Sequence, residues 1–255
     1  MCVACATRAP PWKTLATQFI TYPTQISVQS DGATSLFGIA GCAAPTKPLA
    51  PEAARQLHKI ALLDVTEPPQ YGATNMYLEG IALGGVVNMQ HGQQFTQAMR
   101  ENGCSVSQPF TECLVQTLTS AGFDVEQIRA TRKQSSQPAL ELQGKTDADA
   151  LLYVAIGASY VSAHGVDDYI PAVGVRADLL ENKTGQQSQL SSERYWYGYK
   201  NPFTSAGIQI EATPTYRYGS FDTLMQSSVH AGEGLREGAM LICERLVKDV
   251  TAAKQ

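Results

Sequence analysis

Charge is scarce in this sequence. Lys, Arg, Asp and Glu supply 16% of its 255 residues, whereas soluble proteins average about a quarter. The 19 basic and 23 acidic residues leave a formal net charge of −4. Nucleic-acid binding requires clustered cations that displace counterions from phosphates. Here Lys and Arg are scattered, and the densest group is Arg129, Arg132 and Lys133. A nucleic-acid partner is therefore not expected. Long apolar runs are missing too. A membrane-spanning helix needs about 18 or more consecutive apolar residues. The longest weakly polar stretch, Gly80 to Val87, falls far short of that.

Cysteine is also sparse: six in a chain of this length do not make a disulfide scaffold. Cys2 and Cys5 form a CxxC with no second pair and no nearby His, so a tetrahedral zinc site cannot close around them. Cys104 and Cys113 flank a short Ser/Gln/Pro segment. In an oxidising compartment they are candidates to bridge; otherwise they are two free thiols. Cys243 lies on an apolar helix face and reads as core.

The sequence carries no GxSxG elbow, no Walker A loop, no HExxH and no EF-hand loop. Gly232, Gly234 and Gly238 have some of the spacing of a dinucleotide loop, but they fall inside a periodic helix rather than after a strand. Of the four histidines, His58, His91, His164 and His230, only His164 lies near a carboxylate pair, Asp167 and Asp168. That trio reads as a solvated loop, or alternatively as a weak metal or acid/base site. His230 reads as a boundary residue. No catalytic residue, cofactor or metal is expected.

What is present is organised. The stretch "SLFGIAGCAAP", residues 35–45, contains Ile39-Ala40-Gly41-Cys42. It has the form of a lipobox, the site where a bacterial lipoprotein is cut and its cysteine acylated. The apolar run before Cys42 is only Leu36 to Gly41, shorter than a secretory leader requires. Residues 1–41 are thus read as a leader or a misread N-terminus without regular structure. Residues 42–58 are rich in Pro and Ala and are expected to be a tether. A single domain is expected over 59–255.

Within that domain, "KIALLDV" (59–65) is an apolar run of strand length, as expected for a strand buried on both faces. Residues 70–92 are Gly-rich without clean period and read as a loop plus a short helix that packs closely or touches a partner. In "PFTECLVQTLTSAGFDVEQI", Cys113, Leu114, Val115, Leu118 and Ala121 share a helical face. Gly122 suits the C-terminal cap, and Phe123, Val125 and Ile128 open the next strand. "DADALLYVAIGASYVSA" (147–163) holds a second buried strand. A β-hairpin follows: Val173, Val175, Ala177 and Leu179 alternate on one face, Asn182-Lys183-Thr184-Gly185 turns, and Tyr195, Tyr197 and Tyr199 alternate on the return strand. From Phe221, with Ser220 as N-cap, a helical period runs through Met225, Val229, Gly232, Leu235, Ala239, Ile242, Leu246 and Val250. Its glycines predict a close approach to the sheet or another helix. The fold class expected is α/β (α+β): a mixed sheet of about 4–5 strands with a hairpin, packed by two or three helices including a long C-terminal one.

The order of elements, with "KIALLDV", "DADALLYVAIGASY", "VRADLLENKTGQ", "ERYWYGY" and Ile39-Ala40-Gly41-Cys42, resembles the small α/β domain of certain envelope lipoproteins. These include the TolB N-terminal-like fold, the curli secretion lipoprotein, and lipoproteins of exopolysaccharide export and peptidoglycan-synthase activation. The resemblance spans roughly residues 59–250. It implies a non-catalytic protein of assembly, secretion or scaffolding, lipid-anchored through Cys42 on the periplasmic face of the outer membrane. Its partners would be the membrane and envelope proteins or further copies of itself. Tyr195, Tyr197 and Tyr199 are the candidate interaction surface. The alternative is a soluble periplasmic binder or enzyme with a site near Asp167, Asp168 and the Tyr195–Tyr199 strand. A further alternative is an oligomerisation module built on 78–87 and the last helix.

Overall fold

The structure, a computed structural model, describes residues 46–79, 83–129, 145–163, 168–183, 188–199 and 206–255. Cys2, Cys5 and Cys42, Arg132 and Lys133, most of the polar 129–146 stretch, His164, Asp167 and the centre of the hairpin turn lie outside the described residues.

Among the described residues, seven strands form one mixed sheet, two or three more than the sequence suggested. They are β1 (Lys59–Leu63), β2 (Gly72–Asn75), β3 (Asp124–Ile128), β4 (Ala150–Ser162), β5 (Ile170–Glu181), β6 (Gln189–Gly198) and β7 (Ile208–Ile210). The order is β3-β1-β4-β5-β6-β7. The antiparallel partner β5 covers β4 from Ala150 to Val161. The opposite edge of β4 is shared end to end, by β1 at Ala150–Leu152 and by β2 at Ser159–Ser162, both parallel to it. The strands absent from the sequence reading are mainly β2 and β7, only four and three residues long. Segments that short carry no period and are stabilised by their neighbours.

The main helices of the described residues pack on one face. They are α1 (Pro51–Gln56), α2 (Met76–Glu79), α3 (Gly84–Glu101), α4 (Ser107–Ser120), α5 (Phe221–Gln226) and α6 (Ser228–Ala252). Phe95 and Met99 of α3, Phe110, Leu114 and Leu118 of α4, and Leu235, Ile242 and Leu246 of α6 join Ile60, Leu152, Val175 and Tyr195 in one core. A second, smaller cluster of Ala61, Leu63, Ala148 and Leu151 lies apart from it. In β1 and β4 these residues alternate with core residues, so the second cluster sits on the other face of the sheet.

Several sequence expectations hold. Residues 60–63 of β1 are fully buried, and so are Val173, Val175, Ala177 and Leu179. Gly122 follows α4 with φ +87°, a conformation that favours glycine. Ser220 caps α5: its Oγ accepts from the Thr223 N–H at 3.2 Å, and Thr223 Oγ1 accepts from the Ser220 N–H at 3.0 Å. The glycines of the last helix do mark close approach. A Cβ on Gly238 would lie 2.3 Å from Tyr197 Cδ1, and one on Gly234 would lie 2.6 Å from Tyr216 Cγ.

Four expectations are corrected. The last helix is two helices, broken at Ser227, and Val229 in the first turn of α6 is 59% exposed. Residues 70–92 contain β2 and open an 18-residue helix, α3, rather than a short one. The tether is not free to its end. Pro51 opens α1, where its missing N–H costs nothing, and Ala54 and Leu57 are buried. Lys47 pairs with Ser192 at the sheet edge. Finally, Cys104 does not bridge to Cys113. The inner face of α4 turns Cys113 onto α6, where it is bonded to Cys243 with the Cα atoms 6.5 Å apart. Cys104 is a buried free thiol lying 3.7 Å from the Gly232 carbonyl.

Candidate functional site

The tyrosines expected at the surface are not there. Tyr195 and Tyr197 are 1% and 0% exposed, and they face the helices. The register explains this. Tyr195 and Tyr197 lie opposite Val175 and Val173, the inward residues of β5, so the same pleat turns all four to α6. Gly238 of α6 leaves room for the Tyr197 ring. The hydroxyl of Tyr197 accepts from the Thr213 N–H at 3.2 Å and reaches Glu237 Oε1 at 3.3 Å. Burial pushes both phenols above the ordinary tyrosine range. Tyr199 sits half-buried at the strand end, with its N–H bonded to the Pro171 carbonyl. Tyr195 and Tyr197 pack the sheet against the helices and are not part of the surface.

Asp168 is exposed beside Gly219, and the other two members of its trio lie outside the described residues. His230 is a boundary residue: its Nδ1 is 2.9 Å from the Tyr218 hydroxyl. His91 is half-buried on α3 and stacks on Phe221 of α5 at 3.7 Å between ring centroids. Burial lowers its pKa, against the pull of Asp222. Its Nδ1 is buried without a hydrogen-bond partner.

Glu67 is the most heavily bonded carboxylate among the described residues, and its bonds are structural. It accepts from the N–H groups of Val106 and Ser107 and from the hydroxyls of Tyr71, Ser105 and Ser107. Burial raises its pKa, but the bonds from Ser107, Tyr71 and Ser105 outweigh that and hold the carboxyl below its ordinary range. It caps the N-terminus of α4, where backbone N–H groups otherwise lack partners and an anion is favoured. With every lone pair engaged, it is a poor base or nucleophile. Among the described residues, no three His, Cys, Asp or Glu side chains converge on a metal-sized site. A groove beside α3 is lined by Pro69, Gln70, Gln93, Thr96, Gln97, Arg100 and Glu101; the Thr96 hydroxyl is tied to the backbone of Tyr71 and Gly92.

The feature that stands out is an apolar surface at the α2–α3 corner. Tyr77, Leu83, Val86 and Met89 are 63%, 71%, 47% and 57% exposed. Val86 and Met89 are three apart, so they share one helical face with Leu83 at the N-cap. From residue 80 to residue 99 the chain carries no Lys, Arg, Asp or Glu. The exposed residues of α3 thus lie in a segment without formal charge, with Glu79 at the end of α2 the nearest charge in sequence to Tyr77.

Its shape is fixed from beneath. Asn75 and Asn88 are reciprocally bonded: the Asn75 N–H donates to Asn88 Oδ1 at 2.9 Å, and Asn88 Nδ2 donates to the Asn75 carbonyl at 3.0 Å. Asn75 Oδ1 accepts from the Tyr77 N–H at 3.1 Å. A Cβ on Gly84 would lie 1.4 Å from the Leu78 carbonyl oxygen, so α2 crosses α3 in contact with that glycine. The close packing expected of the Gly-rich stretch is present at Gly84. The signal available in the sequence was the run of uncharged residues itself.

No helix of the described residues is long and apolar enough to cross a membrane. No family model and no curated protein matches the chain. Among solved structures, the chain is similar to the PelC dodecamer from Paraburkholderia phytofirmans, with 17% identity, 76% of this chain and 94% of that one covered, and a TM-score of 0.29. It is similar to the hypothetical protein CT253 from Chlamydia trachomatis, with 12% identity, 77% and 99% covered, and a TM-score of 0.34. It is also similar to lipoprotein GNA1162 from Neisseria meningitidis, with 15% identity, 57% and 88% covered, and a TM-score of 0.25. Superpositions this loose give no residue-by-residue correspondence.

Proposed function

We propose that the chain is a lipid-anchored protein of the cell envelope that works by contact rather than by catalysis, with the α2–α3 corner as its contact surface. The observation that carries this reading is the exposure of four large apolar residues close in the chain, Tyr77, Leu83, Val86 and Met89. A surface of that kind favours a protein partner or a further copy of the chain. Two features support the location. Ile39-Ala40-Gly41-Cys42 has the lipobox form, and acylation with more than one chain gives stable membrane attachment. The Cys113–Cys243 bond suits an oxidising compartment such as the periplasm. The rival reading of a binder or enzyme near Asp168 loses Tyr195 and Tyr197 to the core.

Two measurements test this. Intact mass of the protein from its native host should show loss of residues 1–41 and a gain of acyl chains, absent in Cys42→Ala. An unprocessed, unacylated chain removes the anchor. Sedimentation of the wild type should show mass rising with concentration, and Val86→Asp with Met89→Asp should hold it at one copy. A wild type that stays monomeric, and retains no envelope protein on cross-linking in cells, removes the contact surface.

A further inference from the structure

The chain that leads into the domain is bound to the sheet before its first strand. β7 pairs with the outer edge of β6 at Tyr195–Tyr197. On that same edge, Lys47 pairs with Ser192. The Lys47 N–H donates to the Ser192 carbonyl at 2.8 Å, and the Ser192 N–H donates to the Lys47 carbonyl at 2.8 Å. The Lys47 ammonium bonds the Gln189 carbonyl. Backbone groups at a sheet edge need such partners. The hold continues along the chain. Leu49 packs against the main core, and Ala54 of α1 and Leu57 just after it are buried. The Leu57 carbonyl accepts from Lys254 Nζ at 3.0 Å. Residues 47–57 are thus a strap, fixed at the edge strand, in the core and beside the end of α6.

The strap limits what an anchor at Cys42 can do. A free tether from Cys42 to Lys59 would span up to about 58 Å, at roughly 3.4 Å per residue. With Lys47 held, five residues remain (47 − 42), and they reach about 17 Å at most. We infer that the anchored chain lies with the Lys47–Ser192 edge of its sheet against the lipid headgroups, an inference that rests on the proposed acylation of Cys42. This edge suits headgroups rather than hydrocarbon. Lys47 is exposed and cationic. Insertion needs large apolar side chains, and the exposed ones among the described residues lie elsewhere, at 77–89 and at Val229. The α2–α3 corner is also distant. Ser192 stands opposite Asp178, and Asp178 opposite Tyr153, so the strap meets the sheet at the level of Tyr153 in β4. Asn75, just before α2, pairs with Ser162. Nine residues of β4 (162 − 153) separate these levels, about 30 Å at roughly 3.3 Å per residue. The leash that brings the strapped edge to the bilayer leaves the corner clear for a protein.

The test uses the protein from its native host, with intact mass read first. Loss of residues 1–41 also removes Trp12 and leaves Trp196 as the remaining tryptophan. Trp196 lies four residues along β6 from Ser192 (196 − 192), about 13 Å. The acylated protein is placed in phosphatidylethanolamine–phosphatidylglycerol vesicles carrying dansyl headgroups, and energy transfer from Trp196 to dansyl is measured. Transfer should be strong in the wild type. About twenty Gly/Ser residues inserted after Ala44 lengthen the leash and should cut transfer about twofold or more. The same insertion after Ala50 lies beyond the Lys47–Ser192 pairing and should leave transfer near the wild-type value. Trp196→Phe with Met89→Trp moves the donor to the corner and should also cut transfer about twofold or more. The inference is overturned if the acylated protein transfers equally with and without the insertion after Ala44, or if the two insertions act alike. It is also overturned if the donor at the corner transfers as strongly as Trp196. A mass that shows no acyl chain overturns instead the reading on which the inference rests, before any vesicle is made.

Discussion

Removing the Cys113–Cys243 bond tests both the packing of α4 on α6 and the compartment in which the protein works. The bond joins residues 130 apart in sequence. In a chain-entropy account, closing a loop of that size removes about 5 kcal/mol of freedom from the unfolded chain at 25 °C. Measured values for native disulfides fall at about 2–5 kcal/mol. In a chain of this length each kcal/mol moves the thermal midpoint by roughly 2–4 °C. A double variant, Cys113→Ala with Cys243→Ala, should therefore melt about 4–20 °C below the oxidised protein. Changing both residues avoids leaving one thiol stranded in the core. Scanning calorimetry of the wild type with and without reductant, beside the double variant, makes the measurement. Reduced wild type and double variant should nearly coincide. A midpoint indifferent to reductant would refute the reasoning, and so would a non-reducing peptide map that links Cys104 to either partner.

Three further outcomes are expected. Glu67→Gln should cost about 1–3 kcal/mol by denaturant unfolding, since it leaves the donors at the start of α4 poorly answered. The folded pKa of Glu67 lies below the unfolded one, so its stabilisation is full above about pH 4.5 and is lost as pH falls through the lowered value. Glu67→Gln should correspondingly flatten the acid limb of a stability–pH profile. His91, also lowered, destabilises the fold as pH drops below about 6.5, because the unfolded chain then binds the proton better. His91→Phe keeps the stack on Phe221 and should raise the midpoint at pH 5.5 more than at pH 8. Tyr197→Ala should cost about 3–5 kcal/mol as a core deletion, whereas an effect within about 0.5 kcal/mol would return that tyrosine to the surface.

What the sequence made legible follows from where order is local. β1, the α4–Gly122–β3 passage, β4, the hairpin and the capped start at Ser220 each announce themselves within a dozen or so residues, by period or by a turn residue. What it hid depends on partners distant in the chain. β2 and β7 exist because β4 and β6 offer them an edge. α3 is hard to read because its first half leaves Val86 and Met89 uncovered, so its apolar positions do not mark one inward face. Alternation gives the tyrosine stripe its correct period, but only the register against Val173 and Val175 decides which side is in. Cysteine pairing was least accessible, since Cys113 and Cys243 meet only after the sheet has brought α4 and α6 together. The segment proposed as a contact surface shows in the sequence only as composition, a run without charge from 80 to 99.

The same covalent bond has a mechanical meaning. Tension applied between the region of Cys42 and the C-terminus would run along the chain to Cys113, cross to Cys243, and leave through the 12 residues that follow it (255 − 243). β3 to β7 hang off that line of force. About 440 Å of contour, at roughly 3.4 Å per residue, stays coiled until a sulfur–sulfur bond is broken. A chain anchored at one end and pulled at the other would yield by peeling α1, β1, β2 and α3, while the hairpin and its helix moved as one unextended body.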